Sequence, residues 1–139
     1  MRLLSSLPIA CLLFGFAVAQ NAERLSAIVF ARDPARYLNQ RVRVDDFACW
    51  KDEASFRCAS GKGLDLISAD VTPARAKKAI DEGCGGLDGI ERTPGCLFDL
   101  VFTPLKVAKA TGEVTRNGRA TTGQIWIVEA GAVSALPRR

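Results

Sequence analysis

Along most of this chain apolar residues recur at every second position, the spacing of a half-buried strand. Two stretches instead space them three and four apart, as on one face of a helix. The first is 21–31, "NAERLSAIVFA", in which Leu25, Ile28 and Val29 share a face. Asp33-Pro34 follows as an N-cap and a proline at the first helical position, opening the short turn "DPARYLNQ". Tyr37 and Leu38 are expected to dock that turn on the core; a frayed, loosely packed arm is the alternative. "RVRVDDFACW" (41–50) alternates, but its phase changes at Asp45-Asp46: Val42 and Val44 point one way, Phe47 and Cys49 the other. One strand with a bulge or sharp bend is the expectation. "KDEA" turns the chain and "SFRCAS" (55–60) returns it. Equal spacing about that turn sets Cys49 opposite Cys58, near the distance a disulfide needs.

"GKG" at 61–63 is a further turn, and "LDLISADV" a third strand whose mixed phase implies burial on both sides near one end. Thr72-Pro73 opens a second helix in cap-then-proline order; "ARAKKAIDE" continues it and Gly83 stops it. Its apolar face is thin (Ala76, Ala79, Ile80), which suits plugging the end of a barrel rather than building a core. In "CLFDLVFTPLKVAKA", Phe98, Leu100 and Phe102 line one face, and Pro104 forces a bend or an edge position. "TGEVTRNGRATTG" is polar, with Asn117-Gly118 as a tight-turn signal. "QIWIVEAGAVSAL" closes the domain as a fifth strand, and the tail 137–139 ("PRR") is expected to be disordered. There is no internal repeat or low-complexity segment.

The N-terminus changes the setting. "MRLLSSLPIACLLFGFAVAQ" has a charged start at Arg2, a short apolar core from Leu7 to Phe16 and the small-x-small site Ala17-Val18-Ala19. That is the layout of a secretory signal peptide over residues 1–19. The apolar run is too short for a membrane span, which needs about twenty residues. No later stretch approaches that length, so no span is expected after cleavage, and the protein is expected to be periplasmic or secreted. Cleavage removes Arg2 alone among the charged residues, leaving 18 of the 19 Lys+Arg against 15 Asp+Glu, a net charge of about +3. Such a mild excess is far from a dedicated nucleic-acid binder. About 120 residues remain, enough for one compact domain.

Export also decides how the cysteines are read. Cys49, Cys58, Cys84 and Cys96 remain after cleavage, an even number in an oxidising compartment. Four cysteines allow three pairings. The local pairing Cys49–Cys58 and Cys84–Cys96 is the expected one, each bridge flanking a turn-rich segment and contributing about 2.5–3 kcal/mol in the chain-entropy model. Structural zinc sites use close C-x2-C pairs or nearby histidines, and this chain has long spacings and no histidine. The C-x-x-C of a redox enzyme is absent too. "DEGCGGLDGIERTPGC" is therefore a stapled loop whose glycines and Pro94 let the chain turn.

Three strands, a helix and two strands is the element order of the OB-fold, a small five-stranded barrel. "YLNQRVRVDDFACW", "LDLISADV" with its helix, and "IWIVEAGAVSAL" carry the likeness. In them the chain resembles small exported bacterial OB-fold proteins over 35–136, with 20–34 as an N-terminal helical arm. The expected fold is mainly β: a five-stranded OB-like barrel, one helix between strands 3 and 4, and a short N-terminal helix. The rival is another small β-barrel or an α+β sandwich. OB-folds bind oligonucleotides, oligosaccharides or proteins across strands two and three and the 1–2 and 4–5 loops. The resemblance implies Trp50 and Lys51 at the first loop, Phe56 and Arg57 on strand two, and Lys62 beside strand three. It adds Lys109, Arg116 and Arg119 in the loop before strand five.

Each of these has a plainer reading. Trp50 could cover the Cys49–Cys58 bridge instead of stacking a ligand, and the basic loop 109–123 could be a solvated hairpin. Phe56 and Arg57 face opposite sides of one strand, so only one can lie on a given surface. Without histidine there is no Ser-His or Cys-His pair. Asp45-Asp46 and Asp52-Glu53 are adjacent and point apart, although Asp65 and Asp99 could meet in space as a hydrolase would require. The sequence expectation is a non-enzymatic module without cofactor or metal, binding a cell-envelope protein, peptide or glycan. The alternatives are an oligonucleotide-binding OB domain and, further off, a carboxylate-dependent hydrolase.

Overall fold

The structure is a computed structural model that describes residues 22–84 and 93–138. The stretch 1–19 expected to be a signal peptide, the glycine-rich stretch 85–92 and Arg139 lie outside the described residues, as do the side chains of Thr115 and Arg116. The elements are β1 (Glu23–Leu25), α1 (Ala27–Arg32), β2 (Val42–Asp52), β3 (Ser55–Ser60), β4 (Leu64–Thr72), α2 (Ala74–Gly83), β5 (Leu97–Phe102), β6 (Lys106–Arg116) and β7 (Arg119–Pro137). Short 3-10 turns occupy Pro34–Tyr37 and Pro94–Cys96.

Five strands close on themselves in the order β2-β3-β4-β7-β5 and back to β2. The β4–β7 pair is parallel and the other barrel pairs are antiparallel. With α2 between β4 and β5, this is the OB-like barrel expected from the element order. Two additions decorate it. β1 pairs parallel to β2, and β6 pairs with the first half of β7 as a two-stranded ribbon.

The closure explains the phase change in β2. Val44 pairs with Leu100 and Phe47 with Phe98, so three residues on β2 advance against two on β5. Asp46 takes φ +69° inside this bulge. The extra residue turns Phe47 and Cys49 back to the face of Val42 and Val44, and all four are at most 1 % exposed. The bulge therefore corrects the phase, and the two pairs do not point to opposite sides as simple alternation implies. Phe98, Leu100 and Phe102 meet them from β5, with Phe102 edge-on to Phe47 at 6.4 Å. Each large side chain removed from water here contributes about 1.5–3 kcal/mol.

Both local bridges are present. Cys49 and Cys58 are register partners with Cα atoms 4.1 Å apart, and both are fully buried inside the barrel. Cys84 joins the end of α2 to Cys96 ahead of β5, with Cα atoms 5.8 Å apart. α2 packs against β2, β4 and β7 through Ala76 and Ile80; Ala79, expected on that face, is exposed.

Other expectations need correction. The arm is not one helix over 21–31. Leu25 pairs into a strand with Val44, so the helix starts later, behind a Ser26 cap whose hydroxyl accepts from the Val29 N–H at 3.2 Å. Asp45 Oδ1 accepts from the Ala27 N–H at 3.1 Å and fixes the helix start to the bulge. That start places Ala27 and Phe30 inward and leaves Ile28 and Val29 52 % and 39 % exposed. Tyr37 docks on Phe30, whereas Leu38 is 37 % exposed. Thr72 does not cap α2: it remains the last β4 residue, opposite Ser134, and Pro73 takes the cap position after a cis peptide. Pro104 ends one strand and begins another, β5 and β6, both paired to the same long β7. The strand also runs past Leu136: Pro137 pairs with Phe98, and Arg138 N–H donates to the Leu97 carbonyl at 3.3 Å.

Candidate functional site

The eight candidate residues fall into two groups. The first lies on the barrel wall and is fully engaged. Trp50 is 8 % exposed and so offers no stacking surface. Alternation also puts it on the face opposite the Cys49–Cys58 bridge, so it does not cover the sulfurs either. Phe56 is 3 % exposed, with the ammonium groups of Lys51 and Lys77 each 5.9 Å from its ring centre. Lys51 pairs with Asp81 of α2 at 3.4 Å. Lys77 pairs with Asp70 at 2.8 Å, and this contact together with the Val71 N–H holds the Asp70 carboxyl below its ordinary value.

Arg57 donates to Asp65 on β4 and, at 3.5 Å, to Asp52 at the β2–β3 turn. Burial works against its charge, but the hydrogen bonds and charges of Asp65 and then Asp52 outweigh that cost and raise its pKa. The wall that OB-folds use for ligands is thus closed here by an aromatic side chain and an arginine committed to two carboxylates. Asp65 and Asp99 do not meet. Asp65 pairs with Ile127 and Asp99 with Leu136, nine positions apart on β7, or roughly 30 Å of strand. Asp99 faces Arg43 at 3.3 Å and Arg138 at 3.5 Å.

The second group lies around the β3–β4 turn and the ribbon. Lys62 sits in the β3–β4 turn, exposed, its N–H donating to Ser60 Oγ at 3.1 Å. Lys109 lies over the half-buried Trp126 ring at 4.9 Å. Arg116 and Arg119 are register partners flanking the turn at Asn117 (φ +51°) and Gly118 (φ +74°). The basic segment 109–123 is thus a paired ribbon. Among the described residues Lys62, Lys109 and Arg119 make no ion pair, and neither does Arg32 at the end of α1.

Two of these uncommitted cations, Arg32 and Lys62, line a groove of about 480 Å³ between α1, the β3–β4 turn and the ribbon. Ile28, Ala31 and Val114 supply its aliphatic surface, and among the described residues no carboxylate lines it. Comparison with protein-family models, curated proteins and solved structures finds no match to this chain. Among the described residues no three metal-ligating side chains come together, and no helix is long and apolar enough to cross a membrane.

Of the groove, sequence reasoning found only Lys62. Arg32 and Ile28 escaped because helical periodicity placed Ile28 in the core. The available signal was Phe30: a helix that turns Phe30 inward must turn Ile28 outward.

Proposed function

We propose that this chain is an exported, disulfide-stapled, OB-like binding module of the cell envelope, without catalytic activity, whose ligand is a protein, peptide or glycan. One observation carries the reading. The charged residues of the barrel wall neutralise one another, while Arg32 and Lys62, two of the cations without an ion pair among the described residues, converge beside aliphatic surface in one groove where the ribbon leaves the barrel. Concave surface with a few convergent polar groups is what ligand sites are made of. The leader-like sequence 1–19 and two disulfides fit an oxidising compartment. The buried Trp50 and Phe56 leave no stacking platform on the wall, which weighs against single-stranded nucleic acid.

The test pairs location with binding. Fractionation of expressing cells should place a processed form, with all four cysteines unreactive to maleimide, outside the cytoplasm. Purified mature protein should bind members of a panel of envelope peptides and glycans. Single-stranded DNA should bind only at millimolar strength, even at low salt where phosphate contacts are strongest. Tight, steeply salt-dependent DNA binding with no panel ligand would replace this reading with the oligonucleotide one.

A further inference from the structure

Resting on that binding reading, we propose that the groove between α1, the β3–β4 turn and the ribbon takes an acidic, extended peptide segment of an exported partner. The groove is displaced from the wall formed by β3 and β4, where OB-folds usually hold ligands, and it differs from that wall in chemistry. Its volume of about 480 Å³ falls in the range of small-ligand and peptide sites. Arg32 and Lys62 approach it from separate elements, both exposed and neither neutralised among the described residues. An arginine fork and a lysine ammonium attract carboxylates, the arginine with two parallel hydrogen bonds. Along β6, Lys109 adds to the same sign of field, while Lys106 stands opposite Glu129 and Glu113 lies on the same strand.

Three features select a peptide over other anions. Ile28, Ala31 and Val114 offer aliphatic contact, and Ile28 is 52 % exposed with nothing described over it. The carboxamides of Asn117 and Gln124 can both donate to and accept from a peptide backbone. Among the described residues no aromatic ring lines the groove, so a sugar or a nucleobase would find no stacking partner there. An extended segment alternating carboxylate and aliphatic side chains satisfies all three. β6 pairs only with β7 among the described strands, and its lysines disfavour basic or neutral strands while attracting acidic ones.

The experiment uses the mature chain and a fluorescein-labelled hexapeptide alternating Glu with Leu, read by anisotropy. Its counterpart with Gln for Glu serves as the neutral probe. The acidic probe should bind at least tenfold more tightly than the neutral one, and more weakly as salt rises. Arg32→Glu/Lys62→Glu should weaken it about tenfold or more, while Lys78→Glu on α2 changes it less than twofold. Both positions are exposed, so melting temperatures should stay within a few degrees, and amide shifts on titration should fall at 28–32 and 61–62. Equal affinity for the two probes, an unchanged affinity in the double variant, or shifts confined to the Arg57–Asp65 wall would overturn the proposal. Self-association abolished by the same double variant would also overturn it, by giving the groove to a second copy. If the acidic probe fails to bind at millimolar concentration while another panel ligand binds, this inference falls and the binding-module reading stands. If neither binds, both fall.

Discussion

Phe30→Ala separates a docked arm from a frayed one, and the structure fixes the scale of the effect. Phe30 is fully buried, stacked on Tyr37 at a centroid distance of 5.5 Å and edge-on to Phe102 at 5.6 Å. Truncating a buried phenylalanine costs about 3–5 kcal/mol, through lost transfer energy plus the cavity left behind. The two ring contacts, at about 0.5–1.5 kcal/mol each, place this site in the upper part of that range. A loss of about 4 kcal/mol with a urea slope of about 1.5 kcal/mol per molar lowers the unfolding midpoint by roughly 2.5 M. The companion variant is Ile28→Ala, two residues away and on the face that helical periodicity selects. At 52 % exposure it should change stability by no more than about 0.5 kcal/mol. Urea denaturation followed by tryptophan fluorescence measures both, and trypsin reports whether the bonds after Arg32 and Arg36 become accessible. A loss below about 1 kcal/mol for Phe30→Ala, or a larger loss for Ile28→Ala, would show that the arm is not anchored as described. The α1 wall of the proposed groove would then be lost with it.

Further expectations concern bridges, turn and charge. Peptide mapping without reductant should recover 49–58 and 84–96 linkages. Replacing either pair by alanines should cost about 2.5–3 kcal/mol in denaturant unfolding, with the 84–96 pair costing slightly more because it closes the longer loop, 12 residues against 9. Gly118→Ala should lose about 1 kcal/mol, since φ +74° suits glycine; a neutral result by thermal melting would mean the ribbon turn relaxes freely. The Asp70 carboxyl should titrate below 3.8 by NMR, and Lys77→Met should return it toward that value. A carboxylate depressed in the folded state stabilises above its unfolded pKa. The Asp70 contribution is therefore present near neutral pH and lost as pH falls through the depressed value. A Lys77→Met variant with the same carboxyl titration as the parent would disprove the pairing.

Local chemistry made the barrel legible before its geometry was known. Equal spacing about "KDEA" put Cys49 opposite Cys58, and the register confirms that pair. Alternation at Phe98, Leu100 and Phe102, the break at Pro104 and the Asn117-Gly118 turn also appear where their residue types require them. What stayed hidden depends on contacts between distant segments. Leu25 satisfies a helical spacing equally well, but its β1–β2 pairing with Val44 and the Asp45 bond to Ala27 N–H move the helix start and rotate its face. Trp50 and Arg57 sit where ligand contacts were expected, yet burial of the one and two carboxylates on the other remove them from solution. Neither Asp65 nor the covering of Trp50 is visible in the local sequence around them.

The committed wall also bears on how such a barrel can acquire a ligand site. A half-buried arginine held by Asp52 and Asp65 contributes to the shape of the wall, and recruiting it to a ligand would first break those contacts at a cost that ligand binding must recover. Asp65→Asn would weaken that hold without changing side-chain size. If the wall were the working surface, such a variant should bind acidic ligands more tightly there, through a newly available guanidinium. If the groove is the working surface, Asp65→Asn should leave peptide affinity within twofold, because Arg32 and Lys62 need no such release. The comparison asks which cations can act, and on this barrel those are the ones without a carboxylate beside them.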